Sequence, residues 1–301
     1  MNKFIFPSIV AFMFMATNVA LPQSSFRSQK KPFSSKKGVC VTLRTPGKDK
    51  KGKTVKGDYL RNMPRVKKLN VGWNYSWSDK LQPSQPQFTS YAPMIYSVYG
   101  NPSIERIANN LKRALEPIKK RQRSTILLGF NEPDKKDQAN LSVEKALKYW
   151  KSLEAQGVPL CSPSTVHPDN EWMRAFMSGA KKKGLRVDYV GVHDYGNGNA
   201  EVFKQKLRKI HKMYGGKPII ITEFAVADWN AKTKAANRHS KQKVMKYMKE
   251  ILPWLDKQDW IVGYAWFPFG VDSNVGTSSA LFNAKGELTD LGKFYSNYRS
   301  R

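Results

Sequence analysis

Two glutamates in this chain each close a long apolar run, Glu132 at the end of TILLGFNE (125–132) and Glu223 inside KPIIITEFA (217–225). A lone glutamate at a strand end is most often a solvated residue. Two that face each other across one site have a chemistry of their own. In glycoside hydrolysis one carboxylic acid protonates the leaving oxygen, while the other carboxylate attacks the anomeric carbon or activates water. Other polar and aromatic residues stand at comparable places: Asn131 beside Glu132, His193 and Tyr195 in GVHDYG, Trp73, Tyr75 and Trp77 in WNYSW, and Trp266 in GYAWF.

The elements that must position these residues are legible as alternating runs. Strand candidates lie at 37–43, 68–77, 91–98, 125–132, 158–165, 187–195, 217–225 and 260–267, and helix-like periodicity fills most of the gaps, as in PSIERIANNLKRALEPIKKR and SVEKALKYWKSLEAQG. The second of these shows both ends, with Ser142 as N-cap and Gly157 after the last turn. Eight strands with crossover helices in 301 residues predict a single α/β domain, a (β/α)8 TIM barrel over 37–301. Such a barrel carries its active site at the C-terminal ends of the strands. Strands four and seven then bring Glu132 and Glu223 over one mouth, three strands apart. Period-2 alternation points Asn131 and Glu132 to opposite sides, so both reach the site only if the strand bulges or ends there.

These motifs carry a family resemblance. LLGFNEPD, GVHDYG, KPIIITEFA, and GYAWFPFG followed by LFNAKGELTDLGKFY resemble glycoside hydrolase family 128, within the clan of retaining barrel glycosidases, from about Lys37 to Tyr298. The resemblance implies an endo-β-1,3-glucanase, with Glu132 as general acid/base, Glu223 as nucleophile and Asn131 as hydrogen-bond partner of the sugar 2-hydroxyl. It implies a double displacement in which a protonated Glu132 serves the leaving group while Glu223 attacks, and then takes a proton from the incoming water. The carboxyl separation expected for this is about 5–5.5 Å. The basic stretch after strand one (44–67) departs from the family pattern.

Pyranose rings present apolar C–H faces, so aromatic residues near the strand ends are candidate subsites. Trp73, Tyr75 and Trp77 recur at i, i+2 and i+4 and share one strand face. Core packing is the competing role for Trp73. Tyr195 and Trp266 are expected as further substrate contacts. His193 is expected either to orient a carboxylate or hydroxyl or to sit satisfied in the barrel interior.

No metal or organic cofactor is expected, because the four histidines include no His-x-x-x-His pair and the two cysteines no Cys-x-x-Cys. Cys40 and Cys161 lie within strand-like runs and read as buried core residues rather than a bridge. The sequons at Asn74 and Asn140 are weak signals, the first lying in the proposed cleft.

Residues 1–20 carry Lys3, an apolar run and small residues, the layout of a secretory signal, with an uncleaved anchor as the competing reading. A secreted, extracellular monomer acting on polysaccharide is the expectation, with a periplasmic or cell-wall-associated location as the alternatives. The net charge is +29, and residues 21–68 hold fifteen Lys or Arg against Asp49 and Asp58. That segment reads as a basic flexible arm (21–36) and an exposed loop flanking strand one, suited to an anionic surface such as a wall matrix. Nothing resembles a nucleic-acid recognition motif. The competing functions are hydrolysis of an anionic or sulfated polysaccharide, and glycan binding without catalysis.

Overall fold

The computed structural model describes residues 33–43, 47–48, 52–55, 59–122 and 124–300. The expected export segment and most of the basic arm lie outside these residues. Eight strands form the centre: β1 Lys37–Cys40, β2 Trp73–Tyr75, β3 Ser90–Tyr91, β4 Leu127–Leu128, β5 Leu160–Cys161, β6 Val190–Gly196, β7 Ile219–Val226 and β8 Ile261–Trp266. They alternate with seven helices: α1 Tyr59–Leu69, α2 Ile104–Arg121, α3 Val143–Glu154, α4 Glu171–Lys182, α5 Ala200–Met213, α6 Lys241–Lys257 and α7 Asp290–Asn297. Only the β2–β3 connection, 76–89, lacks a helix. The α/β class and the strand count agree with the sequence.

Six strands pair in the order β3-β2-β1-β8-β7-β6, and β4 pairs with β5. Parallel bridges Met94–Leu128 and Cys161–Tyr189 join these two sheets at both junctions. Every neighbour in the resulting ring is parallel.

Alternation along the strands sorts side chains into an interior and an outer layer. Cys40, Trp73, Tyr75, Met94, Leu128, Cys161, Ile220 and Ala265 fill the interior. Their neighbours in sequence, such as Val39, Ile219, Ile221, Phe224, Tyr264 and Trp266, pack outward against the helices. Both cysteines are free and buried in that interior, as core residues.

The helices start where side chains supply caps. Ser103, Ser142, Asn170, Asn199, Ser240 and Thr289 each accept a backbone N–H at the first turn of α2 to α7. Gly157, at φ +67°, follows the end of α3, a left-handed position that glycine takes without strain.

Two parts of the basic N-terminal region differ from the expectation. The stretch read as an exposed loop contains a short antiparallel hairpin, Gly47–Lys48 with Thr54–Val55, and then α1. Met63, Val66 and Leu69 recur three apart and are buried in the core, so α1 is held by one apolar stripe under a basic surface. The end of the expected arm is also docked. Phe33 stacks on Trp73 at 4.4 Å, and the Lys36 ammonium donates to the Asp256 and Gln258 carbonyls at the end of α6, 2.8 Å each. Among the described residues no helix is long and apolar enough to cross a membrane.

Candidate active site

A cleft of about 760 Å³ opens at the C-terminal ends of the strands, and Glu132 and Glu223 both line it. The way the chain turns at each explains how they meet. β7 carries a bulge, since Ile221 pairs with Val192 while Glu223, two residues on, pairs with the next residue, His193. The extra residue lets Thr222 and Glu223 both point inward, Thr222 to the Ser164 hydroxyl at 2.8 Å and Glu223 into the cleft. On the other side β4 has already ended. Asn131 makes one bridge to Ser164, and Glu132 follows at φ +39°, a left-handed conformation uncommon for glutamate. That turn brings Asn131 and Glu132 to the same cleft.

The surroundings of the two glutamates differ. Glu223 Oε1 accepts from the Tyr75 hydroxyl and from Trp77 Nε1, each at 2.9 Å, and Oε2 accepts from the Tyr195 hydroxyl. Burial, reinforced by the Glu223 charge, pushes both tyrosines well above the usual phenol range, which keeps them as donors. Among the described residues Glu132 has one side-chain hydrogen-bond partner, His193, with Nδ1 to Oε1 at 3.1 Å. His193 is fully buried, and its Nε2 lies 3.5 Å from Glu223 Oε1. Burial alone would depress its pKa, but the two carboxylates outweigh that and raise it above the usual imidazole value.

Glu132, His193 and Glu223 offer ligand atoms within 4.8 Å of one another, the one such cluster among the described residues. Three donors already point at the Glu223 oxygens, and that set of positive hydrogen ends suits a carboxylate free to attack carbon better than one ligating a cation.

The structure places the expected site residues in three groups. Glu132, Glu223, Asn131, Trp77 and Tyr195 line the cleft. Tyr75 and His193 lie beneath it, fully buried, and reach it only through the groups they hold. Trp73 and Trp266 are corrections. Trp73 is fully buried low in the barrel interior, where only glycine fits beside it: a Cβ on Gly38 would come within 2.4 Å of its ring, and one on Gly263 within 3.3 Å. Trp266 follows the inward Ala265, so alternation turns it outward. It is fully buried against Phe224, Tyr247 and Tyr295, with Nε1 on the Ser279 carbonyl at 2.9 Å. Neither has a face to offer a sugar. Asn74 is also fully buried, which closes that sequon in the folded protein.

Sequence reasoning missed the residues that do form the walls. One wall is aromatic: Trp229, Phe267 and Phe269 join Trp77 and Tyr195 in edge-to-face contacts of 5.4–6.3 Å. The signal available was position, since all three follow directly on β7 or β8. The opposite wall is polar. Gln138 accepts from Tyr96 at 2.7 Å and from Asn131 Nδ2 at 3.2 Å, while Asn131 Oδ1 is buried without a partner. Lys206 and Lys135 line the cleft, but each is near a carboxylate, Asp194 at 2.7 Å and Asp137 at 3.7 Å.

Comparison with known proteins decides the family. Residues 54–295 match the family described as glycosyl hydrolase catalytic core. The chain belongs to that family. This glycosyl hydrolase has the fold of solved family 128 enzymes, in keeping with the motifs noted above. One is an endo-β-1,3-glucanase of subgroup I from Amycolatopsis mediterranei, in complex with laminarihexaose, at 24% identity and TM-score 0.69, covering 88% of this chain and 100% of that one. A second is an endo-β-1,3-glucanase of subgroup II from Sorangium cellulosum, at 22% identity and TM-score 0.66, covering 88% and 99%. A third, from Aureobasidium namibiae, is an exo-β-1,3-glucanase of subgroup VI, at 20% identity and TM-score 0.63, covering 90% and 98%. No curated protein sequence matches the chain.

Proposed function

We propose that this protein is a secreted, endo-acting β-1,3-glucanase that works by a retaining double displacement with Glu223 as nucleophile and Glu132 as general acid/base. The observation that carries the mechanism is the pair itself: a carboxylate oxygen of each glutamate lies within 4.8 Å of the other's. This spacing fits the retaining range near 5–5.5 Å and leaves less room than the roughly 6.5–9.5 Å of inverting sites, where a water sits between the carboxyls.

The division of roles follows from the partners. Three donors orient Glu223 and match its anion, as an attacking carboxylate requires. In the first step a Glu223 oxygen bonds to the anomeric carbon as the glycosidic C–O bond breaks, and the Glu132 proton passes to the departing oxygen. In the second, water attacks the glycosyl ester, Glu132 takes its proton, and Glu223 leaves as carboxylate. His193, between the two, holds Glu132 Oε1 toward the leaving group. The unpartnered Asn131 Oδ1 supports its assignment as acceptor for a sugar hydroxyl beside the nucleophile.

Substrate and endo action rest on likeness to the two endo-β-1,3-glucanases, one of them in complex with laminarihexaose. The +29 charge favours a second reading, cleavage of an anionic polymer. Within the cleft both lysines already have carboxylate partners, which favours a neutral substrate. We assign the surplus charge to retention on an anionic matrix. Incubation with linear β-1,3-glucan, scored for new reducing ends and product lengths, tests the proposal. Internal cleavage abolished by Glu223→Gln supports it, and an inert wild type, or one that cleaves only a sulfated polymer, overturns it.

A further inference from the structure

Trp229 is a large apolar side chain left 59% exposed at the rim of the cleft, in edge-to-face contact with Tyr195 at 5.5 Å and Phe269 at 6.3 Å. An indole in the open mouth of a site is normally mobile unless its backbone is fixed. Here it is fixed from both sides. The preceding residue, Asp228, is 2% exposed, and its carboxylate accepts four N–H groups. Arg238 supplies a fork, Nε to Oδ2 at 2.8 Å and Nη2 to Oδ1 at 2.7 Å, and its own backbone N–H reaches Oδ2 at 3.0 Å. The fourth is the backbone N–H of Asn230, on the other side of Trp229, to Oδ1 at 3.2 Å.

The same loop is stitched to the one after β8. The Asp228 N–H donates to the Val275 carbonyl at 2.8 Å, Asn237 Nδ2 to the Asn274 and Val275 carbonyls at 2.9 Å, and Asn274 Nδ2 to the Lys232 carbonyl at 2.7 Å. The two loops thus carry Trp229, Phe267 and Phe269 as one wall. The Arg238 side chain itself is 68% exposed and does not line the cleft, so its guanidinium works through Asp228 alone.

We propose that the Asp228–Arg238 pair is the positioning element for Trp229, and that the face of Trp229 takes a glucosyl ring of the bound chain away from the scissile bond. The inference rests on the glycan-hydrolase reading above and adds a residue pair that sets chain-length preference without touching the sugar. A bidentate guanidinium–carboxylate fork fixes direction as well as distance, which a lysine cannot reproduce. An aromatic platform so held binds a ring at low entropic cost.

The test uses the full chain and a β-1,3-gluco-oligosaccharide series. R238A should raise KM about tenfold on the longest members, the scale of one lost aromatic contact, with kcat changed less than about threefold and KM unaffected on the shortest. R238K should fall between wild type and R238A. W229A should show the same length dependence, and R238A/W229A should be no worse than W229A. Equal loss of kcat at every length in R238A, or additive effects in the double variant, would overturn the proposal. A second readout needs no substrate. With 5-fluorotryptophan incorporated and the Trp229 line assigned by W229F, R238A should shift or broaden that 19F resonance while the other lines hold. An unchanged Trp229 line overturns the positioning role even if the wild type proves inert on glucan, whereas an inert wild type with a shifted line counts against the glucan reading and the sugar platform alone.

Discussion

The ends of β4 and β7 hold one glutamate each and treat them differently. Glu223 sits in the middle of an eight-residue strand, turned inward by a bulge and gripped by Tyr75, Trp77 and Tyr195. Glu132 sits past the end of its two-residue strand, on a left-handed backbone, with His193 as its one side-chain hydrogen-bond partner among the described residues. A nucleophile must meet one carbon along one line, and rigid support favours that. An acid/base must hand its proton to a leaving oxygen and then take one from a water, so a looser setting suits it. Left-handed backbone at Glu132 (φ +39°) and at Trp77 (φ +54°) is the kind of local strain that functional sites retain.

The largest expected effect tests this contrast at its root. Glu223→Gln should lower kcat on β-1,3-glucan by more than about 10⁴-fold, the scale seen when a covalent nucleophile is removed. Glu132→Gln should lower it by about 10²–10⁴-fold on the same substrate, and far less on an aryl β-glucoside whose leaving group needs no proton. If the aryl substrate rescues Glu223→Gln instead, the two roles are exchanged.

A middle-sized effect sharpens the contrast in support. Tyr195→Phe and Tyr75→Phe each remove one donor to Glu223 and should cost on the order of 10–10³-fold in kcat, read by steady-state kinetics with KM little changed. Tyr96→Phe, on the polar wall beside Asn131, should act mainly on KM. A kcat loss for Tyr96→Phe as large as that for Tyr195→Phe would erase the distinction between the two ends.

Reading β4 and β7 by their apolar runs located both glutamates, because Gly, Pro and polar residues punctuate the strands. The face of each strand was not legible. Both sides of a parallel barrel strand are buried, so apolar content does not say which side is interior, and Trp73 and Trp266 looked like cleft residues for that reason. The glycines Gly38 and Gly263 held the missing information, since they make the space that Trp73 fills. Helix α1 was hidden for a different reason: its stripe of Met63, Val66 and Leu69 is diluted by four basic residues and by Pro64. Trp229 stands alone in a polar loop, and the contact proposed to hold it joins Asp228 and Arg238, ten residues apart.

The smallest expected effect concerns His193, which hydrogen-bonds Glu132 and lies 3.5 Å from Glu223. Its raised pKa comes from the two carboxylates acting against burial, so the charged imidazole stabilises the fold. That contribution is complete below the unfolded value near 6.5 and is lost as pH rises through the higher folded value. The gap in melting temperature between wild type and His193→Gln should therefore be larger at about pH 6 than at about pH 9. A gap that widens toward alkaline pH would mean that His193 is held neutral.

The account turns on retention by a close pair of glutamates. Proton NMR of the first product released from a β-1,3-gluco-oligosaccharide, recorded before mutarotation, reads it directly. The β-anomer should appear first, with the α-anomer growing in only as the sugar equilibrates. Initial release of the α-anomer would contradict the double displacement at Glu223 and return Glu132 and Glu223 to the roles of acid and base across a water.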